Sequence, residues 1–447
     1  MENKRRQFLK LGSMGFIGLA GRQSLPVLPF LPAQTSAMSA KEITPGNSSP
    51  VNTKPMQQNT LSIIGPYGAW AGSLRNNKLP AFSFRKKEFT RLADWKKAAK
   101  ERTAERMAIP ETGAAPLPTL LKQYEYDGLH IEELHWQLPY GRHTAAIFLK
   151  PADAGGRLPG ILAFHDHGGN KYFGTKKITR TADHQHPMMQ AHQQEYYEGF
   201  AWANEIAKKG YAVLVADAFT FASRRVQLQD VPEQLRQGLQ DDTDSTIAVN
   251  AYNKWAGEHE HIMAKSLFSA GTTWPGVFFA EDRIALDILC ARPDVDSNYV
   301  GCAGLSGGGL RTVFMAGLDD RIKCAVCAGF MTTWKDFVLH KSYTHTWMAY
   351  VPLLPNELEF PEILGLRAPL ATLVLNDEED DLYTLEEMKT ADRILREVYE
   401  KAGAADHYKC SYYPGPHKFD AKMQAEAFAW FNRWLKPSLH KDAMTIK

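Results

Sequence analysis

From about His130 onward the sequence alternates short apolar runs with segments of helical character, and each run is bounded by turn residues. The runs are HTAAIFLKP, LPGILAFHDHGG, YAVLVAD, NYVGCAGLS, RIKCAVCAG, LATLVLND and HYKCSYYPG; FAWANEIAKKG, FFAEDRIALDILCARP and TLEEMKTADRILREVYEKAG separate some of them. Strands that alternate with helices predict an α/β fold, a mostly parallel central sheet covered on both faces. Five cysteines in 447 residues are too few and too odd in number for a disulfide framework, so folding must rest on apolar burial. Cys324 and Cys327 are spaced C-x-x-C, but they fall inside the apolar run IKCAVCAGF and are read as core residues.

The chain before this body is organised differently. Arg5-Arg6, then Phe8-Leu9-Lys10 and a Gly-rich apolar stretch to Ala20, resemble a twin-arginine export signal, with cleavage expected near Thr35-Ser36-Ala37. Residues 1–37 are therefore read as a signal peptide and 38–62 as a disordered linker rich in Ser, Thr, Pro, Asn and Gln. Residues 63–129 are read as a helical extension, with an amphipathic helix between Phe82 and Met107. Residues 130–437 form the main body, 218–276 an insertion within it, and 438–447 a tail. The stretch from Ala218 to about Ser266 is read as irregular. No segment has about 18 uninterrupted apolar residues, so no membrane span is expected.

The sharpest local signal is Gly304-Leu305-Ser306-Gly307-Gly308-Gly309, between an apolar run and the helix-like LRTVFMAGL. A serine flanked by small residues at a strand-to-helix turn is held in a strained elbow that lifts its hydroxyl above the sheet. The helix N-terminus then offers the Gly307 backbone N–H to an oxyanion. A serine needs a base, and the base needs an orienting carboxylate. His417 follows the last strand in YYPGPHKFD, and Asp377, Glu378, Glu379, Asp380 and Asp381 follow the preceding strand, in the chain order Ser, acid, His.

These motifs resemble the α/β-hydrolase superfamily over about Leu129 to Leu435. RIALDILCARPDVDSNYVGCAGLSGGG and AGLDDRIKCAVCAG are similar to the dienelactone-hydrolase and acetyl-xylan-esterase-like group. In that superfamily the acid often sits in a G-x-x-D-x-L/V turn. The resemblance implies Asp380 within Asn376–Leu382, with Asp377, standing where the glycine would be, as second choice. It also implies an oxyanion donor in His165-Asp166-His167-Gly168-Gly169: the backbone N–H of His167, or alternatively of Gly168, with His165 and Asp166 bracing the loop. The resemblance implies ester hydrolysis, acyl groups on carbohydrates among the substrates, with no cofactor required.

Other readings compete. His165, Asp166 and His167 with His184, His186 and His192 could instead ligate a metal for hydrolysis. A serine peptidase of the same fold is an alternative, although the region before His130 is too short for a large propeller. A carbohydrate-binding protein on a degenerate fold is the non-enzymatic reading. Phe219, Phe221, Trp255, Phe268 and Trp274 in the insertion are read as its own core ahead of sugar-stacking faces, and Arg224-Arg225 as ion pairs ahead of a uronate clamp. A nucleic-acid partner is disfavoured: 52 Lys+Arg against 50 Asp+Glu leave a net charge of +2. Five of those basic residues and one acidic residue lie in the leader, so the remainder is mildly acidic.

Overall fold

The computed structural model describes residues 61–74, 78–241 and 244–436. They belong to one unit, Asn59–Lys447. The export signal, nearly all of the linker and the tail lie outside the described residues.

A nine-stranded sheet runs in the order β1-β2-β3-β5-β4-β6-β7-β8-β9. The strands are β1 (Thr119–Tyr126), β2 (Leu129–Trp136), β3 (Thr144–Pro151), β4 (Leu158–Phe164), β5 (Ala212–Ala216), β6 (Val295–Leu305), β7 (Ile322–Ala328), β8 (Ala371–Asp377) and β9 (Tyr408–Tyr413). From β5 across to β9 every pairing is parallel, while β1, β2 and β3 join antiparallel at one edge. The helices that matter below are α1 (Leu92–Met107), α2 (Pro187–Tyr197), α3 (Trp202–Lys208), α4 (Thr246–Ser269), α5 (Trp274–Ala291), α6 (Gly307–Leu318), α7 (Leu385–Lys401) and α8 (Ala421–Leu435).

The central strands are buried on both faces, as the apolar runs require: β5 and β8 have no exposed residue. Successive side chains enter opposite cores. Leu162 and Phe164 of β4 and Val374 of β8 pack in one, while Ile161, Ala163, Leu373 and Leu375 pack in the other. Each Val, Leu, Ile or Phe buried in this way contributes about 1.5–3 kcal/mol. All five cysteines are free thiols, with Cys324 and Cys327 buried in β7.

Two expectations are corrected. The extension over 63–129 is not purely helical: β1 and β2 form a hairpin that continues the sheet, turning at Asp127 and Gly128, which both have positive φ. Burial alternates along β2 because one face of that strand meets solvent, and β1, at the edge of the sheet, is mostly exposed. The helix expected between Phe82 and Met107 is α1, which starts at Leu92 and buries Trp95, Ala99, Thr103 and Met107 on one stripe. The stretch from Ala218 to Ser266 is not irregular throughout, since α4 occupies it from Thr246 onward. Ser245 caps α4 by accepting the Ala248 N–H, and α4 buries Val249, Tyr252, Trp255, Ala256, Glu260 and Ala264.

No helix among the described residues is long and apolar enough to cross a membrane.

Candidate active site

Strand β6 ends at Leu305 and helix α6 begins at Gly307, so Ser306 occupies the turn alone, with φ 58° and ψ −119°. Such a backbone costs a non-glycine residue about 1–3 kcal/mol and persists only where its surroundings dictate it. Here the Ser306 N–H donates to the Ala328 carbonyl at the end of β7, and its own carbonyl accepts from Leu310 N–H, 2.9 Å in each case. Position 307 has little room: a Cβ there would lie 2.9 Å from the His167 backbone nitrogen. The elbow and the loop after β4 are thus in direct contact.

His417 reaches the same place from the connection between β9 and α8. Its Nδ1 lies 2.6 Å from Asp380 Oδ2, and the other Asp380 oxygen accepts the Leu382 N–H at 2.9 Å. Gly329 admits the ring, since a Cβ at that position would come 2.8 Å from His417 Cε1. Burial alone would lower the His417 pKa. The adjacent Asp380 carboxylate outweighs it and holds the ring above the ordinary histidine value. With Nδ1–H committed to Asp380, the basic face is Nε2, which has no hydrogen-bond partner among the described residues. Ser306 and His417 line one cavity of about 170 Å³ at the C-terminal ends of the parallel strands.

Asp377, the second-choice acid, is beside this pair but turned to the backbone, where Oδ2 accepts the Lys418 N–H at 3.0 Å. Burial pushes its pKa up to about 7. Asp380 is therefore the carboxylate that bonds the ring.

The loop after β4 is braced by its side chains. His165 is buried, with Nε2 accepting the Ala218 N–H and Nδ1 at 3.0 Å from the Asp166 carbonyl. Asp166 accepts the Tyr197 hydroxyl at 2.5 Å and meets His192 Nε2 at 3.1 Å. Burial alone would raise the Asp166 pKa, but its contacts with His192 and the nearby Lys177 ammonium keep it well below the usual carboxylate range. His167 presents Nε2 to Glu260 at 2.8 Å and accepts the Gly169 N–H on Nδ1. The backbone N–H groups of His167 and Gly307 donate to no protein group among the described residues.

This bonding corrects the metal reading. Both ring nitrogens of His165 and of His167 already have protein partners, and His186 is occupied by the Asp244 carbonyl and the Met188 N–H. The histidines do not converge. Among the described residues, the one group with ligand-like spacing is Asp377, Asp380 and His417 themselves.

The sequence reading missed several residues. Glu260 of α4 is buried behind the cavity and ties two of its lining residues together, bonding His167 and accepting the Thr346 hydroxyl at 2.7 Å; it also lies 2.9 Å from Lys171 Nζ and accepts the Trp347 N–H at 3.1 Å. Burial would raise its pKa, but Lys171 and His167 hold it far below the usual range. His345 lines the cavity beside Phe330 and Tyr383, whose ring centroids lie 5.6 and 4.9 Å away. Its Nε2 is buried without a partner among the described residues, and burial pushes its pKa down to about 3. By contrast, Arg224 does not face the cavity: it forms a buried pair with Glu281, 2.6 Å apart. Trp255, Phe221 and Trp274 are core residues.

No protein-family model matches the chain. The chain is 28% identical over 308 residues to "Putative hydrolase YtaP" of Bacillus subtilis (strain 168), covering 68% of this chain and 88% of that one. Among solved structures it is similar to one described as a "putative acetyl xylan esterase" from Bacteroides fragilis (TM-score 0.58, 16% identity, 78% of this chain and 82% of that one). It is also similar to a glucuronoyl esterase from Solibacter usitatus (TM-score 0.53, 13% identity, 79% and 97%). The fold is the mixed α/β, mostly parallel sheet of the α/β-hydrolase esterases.

Proposed function

We propose that the protein is an exported serine esterase that cleaves neutral carboxylic esters, acyl groups on carbohydrates among them. The observation that carries this reading is the His417–Asp380 contact of 2.6 Å sharing one cavity with the strained Ser306. Ser306 Oγ attacks the ester carbonyl while His417 Nε2 takes its proton, and Asp380 orients the ring and stabilises its cation. The N–H groups of Gly307 and His167, with Gly168 as alternative, receive the oxyanion. The protonated His417 then gives its proton to the departing alcohol, leaving an acyl-Ser306 that water hydrolyses by the same relay.

A neutral substrate is supported by the lining, which includes no Lys or Arg among the described residues. The arrangement of Ser306, His417 and Asp380 would serve a serine peptidase equally well, whereas the histidines of the metal reading are already bonded to protein groups. The hydrolase and esterase names carried by similar proteins support the esterase reading. In a Ser306→Ala protein, turnover of a small acetyl ester is expected to fall at least ~10⁴-fold, with no labelling by a serine-directed phosphonate. Retained turnover sinks the assignment. Export rests on Arg5-Arg6; replacing both with lysine should strand the protein in the cytoplasmic fraction, and unchanged fractionation would refute it.

A further inference from the structure

Lys177 is fully buried, yet it lies at the end of a short turn, Thr175–Lys177, rather than in a helix or strand of the core. Its Nζ donates to two successive backbone carbonyls, those of Asp166 and His167, each at 2.8 Å. The remaining direction faces Asp166 Oδ2 at 3.6 Å and the Phe221 ring at 4.8 Å. The turn is itself fastened, because Asp217 Oδ1 accepts the Thr175 N–H at 2.8 Å. A buried ammonium is costly to maintain, and the proposed chemistry as written gives it no task.

Connectivity supplies one. The carbonyl of Asp166 shares its peptide plane with the N–H of His167, and the carbonyl of His167 shares its plane with the N–H of Gly168. In a trans peptide the two groups point in opposite directions. A cation that gathers both carbonyls on one side therefore turns both N–H groups to the other. On that side His167 N lies against Gly307, and Gly168 lines the cavity. A hydrogen bond to a carbonyl also polarises the plane and strengthens donation from its N–H.

We infer that Lys177 is the positioning residue of the oxyanion site, fixing and polarising the two peptide planes whose N–H groups meet the developing charge. This rests on the esterase reading above and adds to it a residue that never touches substrate. The charge on Lys177 has a pH range of its own. Burial, offset in part by Asp166, and the nearby Lys171 bring its pKa down to about 8. The groups that face it are Asp166, Lys171 and Asp217, with the neutral rings of His165 and His167 and, beyond His165, Arg311. Below pH 8 the ammonium is present; above it the planes lose their cation.

The test compares wild type, Lys177→Met and Lys177→Arg on a small acetyl ester over pH 5–10, with Ser306→Ala alongside. Lys177→Met should lower kcat about 10- to 100-fold with KM within about threefold, a smaller loss than deleting an oxyanion donor outright can cause. Wild type should lose activity above pH 8, and Lys177→Arg, whose guanidinium keeps its charge, should restore activity and shift that limb upward. A folded Lys177→Met with wild-type kcat overturns the inference. So does an alkaline limb that stays in place in Lys177→Arg, and this second measurement decides the matter if the methionine variant does not fold. If wild type itself turns over no ester, or Ser306→Ala is as active, the esterase reading has failed instead.

Discussion

The two halves of the site are built by different means. On the elbow side, position is a matter of backbone: β6, the turn at Ser306 and α6 place the serine, and glycines at 307 and 329 let the His167 loop and the His417 ring approach. On the opposite side, helix α4 and the 345–347 segment are joined by one side chain, Glu260, which holds His167, Lys171, Thr346 and the Trp347 N–H together. The first arrangement tolerates no change of shape. The second depends on charge, and a buried carboxylate that loses its charge leaves Lys171 uncompensated. The elbow side should therefore set the rate of the chemical step, and the other side should set how well the cavity keeps its form.

The largest effect that could break this division is at the acid. Asp380→Asn is expected to cut kcat by about 10³–10⁴-fold, because an amide favours the wrong tautomer of His417, while Asp377→Asn should cost less than about tenfold. Equal losses would mean that the two carboxylates share the role. In wild type, the base must be neutral to accept a proton, and Asp380 raises its pKa. The acid limb of kcat/KM should accordingly lie above the ordinary histidine value and move down in Asp380→Asn. Next in size, Glu260→Gln should reduce kcat/KM by about tenfold and lower Tm measurably, since it removes the charge shared by the cavity walls. A variant as stable and active as wild type would show that α4 is a passive cover. The smallest effect is at His345. Its imidazole is neutral, since burial pushes its pKa down to about 3, and can donate or accept one hydrogen bond to a hydroxyl of the substrate. His345→Phe should raise KM about three- to tenfold for an acylated sugar and leave it unchanged for phenyl acetate, in line with one lost hydrogen bond. The same rise for both would make the residue a packing element.

The elbow side was legible in the sequence for the same reason that it is rigid. A glycine-bounded serine after an apolar run has few conformations open to it, and the chain order Ser, acid, His pointed to Asp380 and His417, which lie 2.6 Å apart. All seven apolar runs are strands; the unbroken apolar character of β5 and β8 reflects burial on both faces, while β9 at the sheet edge is only partly buried. The rest was hidden by residues that break a pattern. Helix α4 has Val249, Tyr252, Ala256 and Ala264 at helical spacing, but the stripe is interrupted by Glu260, and that charge made the segment read as a loop. At that interruption α4 bonds His167, a residue that lines the cavity. The β1–β2 hairpin carried a usable signal, Asp127-Gly128 between alternating runs, which is the favoured two-residue turn, but its edge strand is too polar to resemble the core strands. Lys177 and His345 left no sequence signal. A lysine that bonds two carbonyls ten and eleven positions earlier cannot be told from a surface lysine without the turn that buries it.

The connectivity of the sheet also carries a consequence for how the protein acquires activity. The serine, the acid and the histidine stand at the ends of β6, β8 and β9, and β9 is the strand at the far edge, made last in the chain. None of the contacts between them is local: His417 and Asp380 are separated by 37 positions, and the oxyanion loop lies more than a hundred residues before the serine. Closing such loops is slow compared with forming helices, so secondary structure can be complete while the site is still in pieces. During refolding, recovery of ester turnover should trail recovery of helix signal, because the site needs contacts that span the sheet while helices need only local ones.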